Sequence, residues 1–199
     1  LQDFTSVGPV VGREIAGRAV QAVAVAAIGI LLYITYAFRG VQHAFRYGLC
    51  AIFALLHDVG VVLGFAAVMG HFFGWEVDAL FLTAILTVIG FSVHDSIVVF
   101  DRIRENLGRY RRAPFREVVN HSVVQTLDRS INTQLTAVFT LLALALFGGG
   151  SIRIFVITML VGMISGTYSS IANASPILVV WEGREWRTWF RRSAVPASS

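Results

Sequence analysis

The chain has 199 residues, of which 56% are hydrophobic and 14% charged, and its mean hydropathy is +0.70. Soluble domains carry about 25% charged residues, so these values exclude a water-soluble globular domain. The net charge of +4 comes with sixteen arginines and no lysine. The arginines crowd into a few loops with no aromatic–basic stripe between them, which argues against a nucleic-acid partner.

The chain begins at Leu1 with no charged segment before its first apolar run. It is therefore expected to be the later part of a longer polypeptide. Residues 1–18 are mixed in polarity, with a Gly8–Pro9 turn signal, and read as an extended linker at the membrane surface. The first span is expected over 19–38, with Tyr33 and Tyr36 as interface anchors. A short loop follows, carrying Arg39, His43 and Arg46. The second span, 48–70, contains His57 and Asp58, and His71 and Trp75 follow it as interface residues. The third, 79–100, holds His94 and Asp95. Asp101, Arg102, Arg104 and Glu105 then read as a solvated first turn beyond the membrane.

Residues 114–127 are amphipathic, with Phe115, Val118, Val119, Ser122, Val123 and Thr126 at helical spacing behind Pro114. This stretch is expected to lie on the membrane face and bend into the fourth span, 129–147. The fifth span, 152–180, follows Gly148-Gly149-Gly150, and residues 181–199 form a tail whose Trp186 and Trp189 suit an interface. The tail's Ser/Ala/Pro end has the composition of a disordered terminus. The fold class is thus an all-α polytopic membrane protein: five transmembrane helices plus one cytoplasmic amphipathic helix. Each apolar run reaches the roughly 20 residues needed to cross a bilayer. Five spans leave 13 arginines on one side and Arg13, Arg18 and Arg153 on the other. The positive-inside rule puts the 13, and the C-terminus, in the cytoplasm and the N-terminal end outside.

Polar residues inside these spans mark where function is expected. An Asp at the centre of a membrane helix costs roughly 2.5–3.5 kcal/mol, and chains that keep one usually use it for ion or proton handling. Two such acids occur in related settings, His57-Asp58 in LLHDVGVV and His94-Asp95 in SVHDSIVV. Asp58 lies ten residues from Gly48, and Asp95 lies six from Asp101. At ~1.5 Å per residue, the two sit within about two turns of the same depth, so both acids could border one polar path. The histidines read either as proton relays or as local hydrogen-bonding groups.

Arg129, in TLDRSINTQLT, stands where the fourth span begins, as an anchor or as a counter-charge. Asn132, Thr133 and Thr136 extend a polar stripe from it, suiting a cavity wall or a helix contact. On the fifth span, Gly162-x-x-x-Gly166 is a small-residue packing motif, with Ser169, Ser170 and Ser175 continuing the run of small residues. Asn173 carries an amide that needs partners inside a membrane. Cys50 is the single cysteine and reads as a packing residue, and no Cys/His cluster has metal-ligand spacing.

GFSVHDSIVVFDRIREN resembles the signature of the SecF family of protein-export subunits, within the resistance-nodulation-division superfamily. SVGPVVGREI, LLHDV, QTLDRSINT and GTYSSIANASP resemble further segments of that family, in order along nearly the whole chain. The resemblance implies an ion-driven subunit, using protons or Na+, that assists polypeptide export across the bacterial inner membrane. It implies SecD, fused or separate, and the SecYEG channel as partners, with YajC and YidC as further ones, and an unfolded polypeptide as cargo. It places the family's membrane acid on Asp95 and its arginine on Arg129, with Asp58 as a further acid. His94, Asn132, Thr133, Thr136 and Asn173 are expected to support the path. It implies no cofactor, no metal and no enzyme activity. The competing classes are a small-molecule efflux pump of the same superfamily, a non-catalytic assembly subunit, and an intramembrane aspartyl protease using Asp58 and Asp95. The last lacks the G-x-G-D pattern of that class.

Overall fold

A computed structural model describes residues 9–183. The described residues form helices joined by short turns, with no strand among them: α1 (Pro9–Ala37), α2 (Ala44–Phe73), α3 (Ala79–Arg109), α4 (Phe115–Phe147) and α5 (Gly150–Ser169). A five-residue π-turn, Ser170–Ala174, carries α5 on into α6 (Ser175–Glu182). Five stretches are long and apolar enough to cross a membrane: Gly17–Ala37, Ala44–Phe73, Ala79–Arg109, Phe115–Phe147 and Ile152–Glu182.

The helices run further than hydropathy alone indicates. Residues 9–18, expected to be extended, belong to α1, and Arg18 bonds Glu14 one turn away at 2.7 Å. α3 continues past the apolar run to Arg109, and its polar turns carry Arg102–Glu105 and Arg104–Asp101 pairs at 2.7 and 2.8 Å. The stretch 114–127, expected as a separate interfacial helix, is instead the first part of one unbroken α4. The reason is physical: once a helix leaves the bilayer, water supports its backbone and polar i,i+3 or i,i+4 pairs sustain it. The Trp186 and Trp189 expectation and the tail arginines fall outside the described residues.

The ends of the helices are fixed by identifiable devices. Asp78 caps α3 by accepting from the Phe81 N–H at 2.8 Å. Gly74 ends α2 in the left-handed region, φ 67°, with its N–H bonded to the Gly70 carbonyl at 3.1 Å. His43 also has positive φ, 58°, an unusual conformation for a residue with a Cβ. Its ring meets Glu182 of α6 at 2.9 Å, and Arg46 donates to the same carboxylate at 2.7 Å. This contact ties the α1–α2 loop to the end of the last helix.

α2, α3 and α5 form the middle of the bundle, and α1 and α4 lie outside it. In their most apolar 18-residue stretches, α3 and α5–α6 are half buried, against 6% for α1 and 11% for α4. Buried Phe38, just past α1, stacks on Tyr47 of α2 at 5.7 Å, and both meet Phe100 of α3 edge to face at 6.4 and 5.4 Å. Arg104 donates to the Ala37 carbonyl there at 3.2 Å and so satisfies the end of α1. The α3–α5 contact depends on Gly162, where a Cβ would meet Val88 at 2.3 Å and Val62 at 3.0 Å. The packing role read for Gly162-x-x-x-Gly166 is the one observed. Asn106 of α3 donates to Ser122 (2.8 Å) and Gln125 (2.9 Å) of α4, and Gln134 of α4 donates to the Met163 carbonyl of α5 at 2.7 Å.

Candidate functional site

Two buried carboxylates stand near the middle of two adjacent membrane helices. Asp58 is fourteen residues into α2 and Asp95 sixteen into α3, or ~21 and ~24 Å along their axes. Asp58 is 1% exposed and Asp95 6%. A bond from Ser92 of α3 to Asp58 sets Asp58 level with a point three residues before Asp95. The two acids therefore lie close in depth, as their spacing in the sequence suggests.

Their surroundings are opposite. Three serine hydroxyls donate to Asp58 and a histidine ring nitrogen lies against it. Its Oδ1 accepts from Ser165 Oγ (2.9 Å) and lies 3.1 Å from His57 Nδ1. Its Oδ2 accepts from Ser92 Oγ (2.5 Å) and Ser169 Oγ (2.6 Å). An ionised carboxylate offers about four lone-pair positions, and all four are used. Gly166 makes the approach possible: a Cβ there would stand 3.2 Å from Ser92 Cβ and 3.7 Å from Asp58 Oδ2. The cage is thus built from three helices, with Gly162 and Gly166 on α5 letting their backbones come together.

Asp95 has no such shell. Among the described residues nothing donates a hydrogen bond to it and no ion pair reaches it. Two hydroxyls beside the expected coupling pair are likewise buried without partners, Ser96 Oγ on α3 and Ser130 Oγ on α4. Arg129 is exposed on α4 and makes no ion pair with Asp95 among the described residues. Asn132, Thr133 and Thr136 are exposed on the same helix. Thr136 returns its hydroxyl to the Asn132 carbonyl at 2.9 Å and Thr140 to Thr136 at 3.0 Å. This stripe therefore faces outward from the described part of the chain. His94 is exposed, and Asn173 is half-buried on the π-turn.

Ser92, Ser165 and Ser169 are the site residues that reading the sequence missed. Serines on a glycine-rich helix read as packing residues. The available signal was the demand of Asp58 for donors, combined with Ser165 and Ser169 one turn apart beside Gly162 and Gly166.

Comparison with known proteins gives one family. Residues 1–184 match the family described as "Protein export membrane protein SecD/SecF, C-terminal". The chain is 61% identical to the protein translocase subunit SecF of Anaerolinea thermophila, over 98% of this chain and 64% of that protein. It is 59% identical to SecF of Thermobaculum terrenum, over 98% of this chain and 62% of the relative. It thus spans slightly less than two thirds of the length of these relatives. The crystal structure of SecDF, a translocon-associated membrane protein from Thermus thermophilus, superposes with a TM-score of 0.77 at 42% identity, over 89% of this chain and 23% of that one.

Proposed function

Because this chain belongs to the SecD/SecF C-terminal family of protein export membrane proteins, we propose that it is the membrane part of a subunit that uses an ion gradient, carried by protons, to assist polypeptide export through the Sec channel of a bacterial inner membrane. The observation that carries this reading is Asp95: a buried carboxylate at mid-membrane with no partner among the described residues. An acid kept in that setting at a cost of roughly 2.5–3.5 kcal/mol is an ion-handling group by default.

In this reading Asp95 takes up and releases a proton in a path shared with Arg129 and with an acid on a SecD partner. The exposed stripe of Arg129, Asn132, Thr133 and Thr136 is the face that meets SecD, since hydrocarbon cannot satisfy an arginine and an amide. Loss of the Asp95 charge removes its attraction to Arg129, the helices shift, and an extracytoplasmic domain outside this chain moves the cargo. One charge crossing 100 mV supplies about 2.3 kcal/mol, enough to bias a two-state element by tens of fold. The SecYEG channel, with YajC and YidC nearby, is the further partner of the whole protein. Charge distribution sets the C-terminus in the cytoplasm and Pro9 outside.

The test is export into inverted vesicles carrying the full complex, with and without an imposed proton or Na+ gradient. Asp95→Asn and Arg129→Met are expected to abolish gradient-stimulated export, keep channel-driven export and leave the complex assembled. Normal stimulation in both variants would make these residues structural and the chain an assembly subunit.

A further inference from the structure

The cage around Asp58 has features that close packing does not require. Its four acceptor positions are filled by three hydroxyls and one imidazole. No arginine lies within ion-pair distance of it among the described residues; the one basic group in contact is His57. A carboxylate there has no arginine as permanent counter-ion among the described residues, and one proton would leave the site neutral. His57 is the group that links Asp58 to the outside of the bundle, at a face where a water-filled path or a partner chain, and not hydrocarbon, would hand it the proton. Its Nδ1 is 3.1 Å from Asp58 Oδ1, while its side chain is 40% exposed at the surface of the bundle.

We propose that Asp58 is a second proton-binding site in this chain, loaded through His57 and distinct from Asp95. The transfer balances. An incoming proton binds His57 Nε2, and the Nδ1 proton passes to Asp58 Oδ1. His57 is left as the other neutral tautomer and Asp58 as a neutral acid. The neutral acid must now donate one hydrogen bond, and the cage has two ways to accept it. Oδ1–H can donate back to the bare Nδ1. Alternatively the proton sits on Oδ2 and is given to Ser169 Oγ, whose own hydrogen turns to the Gly166 carbonyl, 3.2 Å away. The second arrangement releases Ser169 from its role as a donor to α2.

Ser169 is the last residue of α5 before the π-turn. Such turns are frequent at functional sites and give a helix a second local register. Here Ser170 Oγ donates to the Thr167 carbonyl (3.0 Å) and Ser175 Oγ to the Ser170 carbonyl (3.1 Å), so side chains support the widened turn. Proton binding at Asp58 is thereby linked to the joint between α5 and α6.

One arginine reaches this level: the Gln134–Met163 contact sets Arg129 of α4 about level with Ser169, although it faces outward. On α3 the neighbouring titratable groups are His94 and Asp95, beyond Ser92. On α5, Arg153 stands in the first turn and Tyr168 is exposed, and the π-turn carries none. On α1 the described ionisable side chains, Glu14, Arg18, Tyr33 and Tyr36, are all exposed. On α6, Glu182 is bound to His43 and Arg46 at the far end of α2. On α2 itself, Tyr47 and Cys50 lie two or more turns before Asp58.

The assignment does not depend on the export reading, because it is tested by spectroscopy. Full-length protein in its complex, reconstituted in lipid vesicles, is taken through a pH step while the infrared carbonyl stretch of protonated carboxylic acids is followed. A carboxyl component that rises on acidification is expected to be lost in Asp58→Asn and kept in Asp95→Asn, separate from the component that Asp95 itself contributes in the proposed function. His57→Gln is expected to keep the Asp58 component but slow its rise by roughly tenfold or more, as loss of a proton-relay group does. A spectrum unchanged by Asp58→Asn would overturn the proposal. Should Asp58→Asn fail to assemble, His57→Gln decides: a slowed rise supports the site, and an unaltered rate overturns it.

Discussion

Asp58 and Asp95 lie at nearly the same depth on neighbouring helices, yet one is complete within this chain and the other is not. Asp58 is held by groups from α2, α3 and α5, the most buried part of the bundle. Asp95 is buried as a residue, 6% exposed against 1%, but receives no donor from any described residue. A satisfied buried carboxylate fixes the geometry of the helices around it. An unsatisfied one marks where another group, an ion or a neighbouring chain, has to enter. The same contrast separates the helices: α5 offers its small and hydroxylic face inward, while α4 turns Arg129, Asn132 and Thr133 outward.

Substitutions separate the two carboxylates. The largest effect on stability is expected from Asp58→Ala, which strands buried Ser92 and Ser169 together with Ser165 and His57. At about 1–3 kcal/mol for each buried group left unpaired, the loss should reach roughly 2–5 kcal/mol, read as a lowered thermal unfolding midpoint of the full-length protein. Asp95→Asn should leave that midpoint unchanged while removing gradient-stimulated export; equal destabilisation by the two would erase the distinction. Gly162→Val comes next, because its side chain would collide with Val88 and Val62. Overpacking of this kind typically costs about 1–3 kcal/mol, and it should loosen the α3–α5 contact that carries the Asp58 cage. Gln134→Leu removes the bond to the Met163 carbonyl and should cost about 1 kcal/mol, with the carbonyl still accepting from Thr167 at 3.1 Å. Glu182→Gln should have the smallest effect, at most about 1 kcal/mol, since its partners His43 and Arg46 are partly solvated. All three can be ranked in one thermal melting series.

Much of the architecture is legible in the sequence because the bilayer imposes it. Each span needs a long apolar run, and the five runs are unambiguous. The true helix lengths are not legible, since hydropathy carries no signal once α3 and α4 enter water at Asp101–Arg109 and Phe115–Asp128. The π-turn at Ser170–Ala174 has no distinctive local pattern, because its register is set by Ser170 and Ser175 bonding back along the chain. Asp95 stands out as an acid in an apolar run, and Asp58 does too. The cage of Asp58 does not, because Ser92, Ser165 and Ser169 come from separated segments and each alone reads as a small packing residue. The association of Arg129 with Asp95 rests on family resemblance, and no ion pair among the described residues records it.

In the proposed function, SecD completes the Asp95 site across the α4 face. Site-directed cross-linking tests it most directly. In a Cys50→Ser background, which removes the single cysteine of these 199 residues, Asn132→Cys is paired with cysteines placed along the central membrane helices of SecD in the assembled complex. The account predicts efficient cross-linking of Asn132→Cys to SecD, together with poor accessibility of that cysteine to a lipid-phase probe. Free access to the lipid-phase probe with no cross-link at any SecD position would contradict it, and would leave Asp95 without the neighbour its environment calls for.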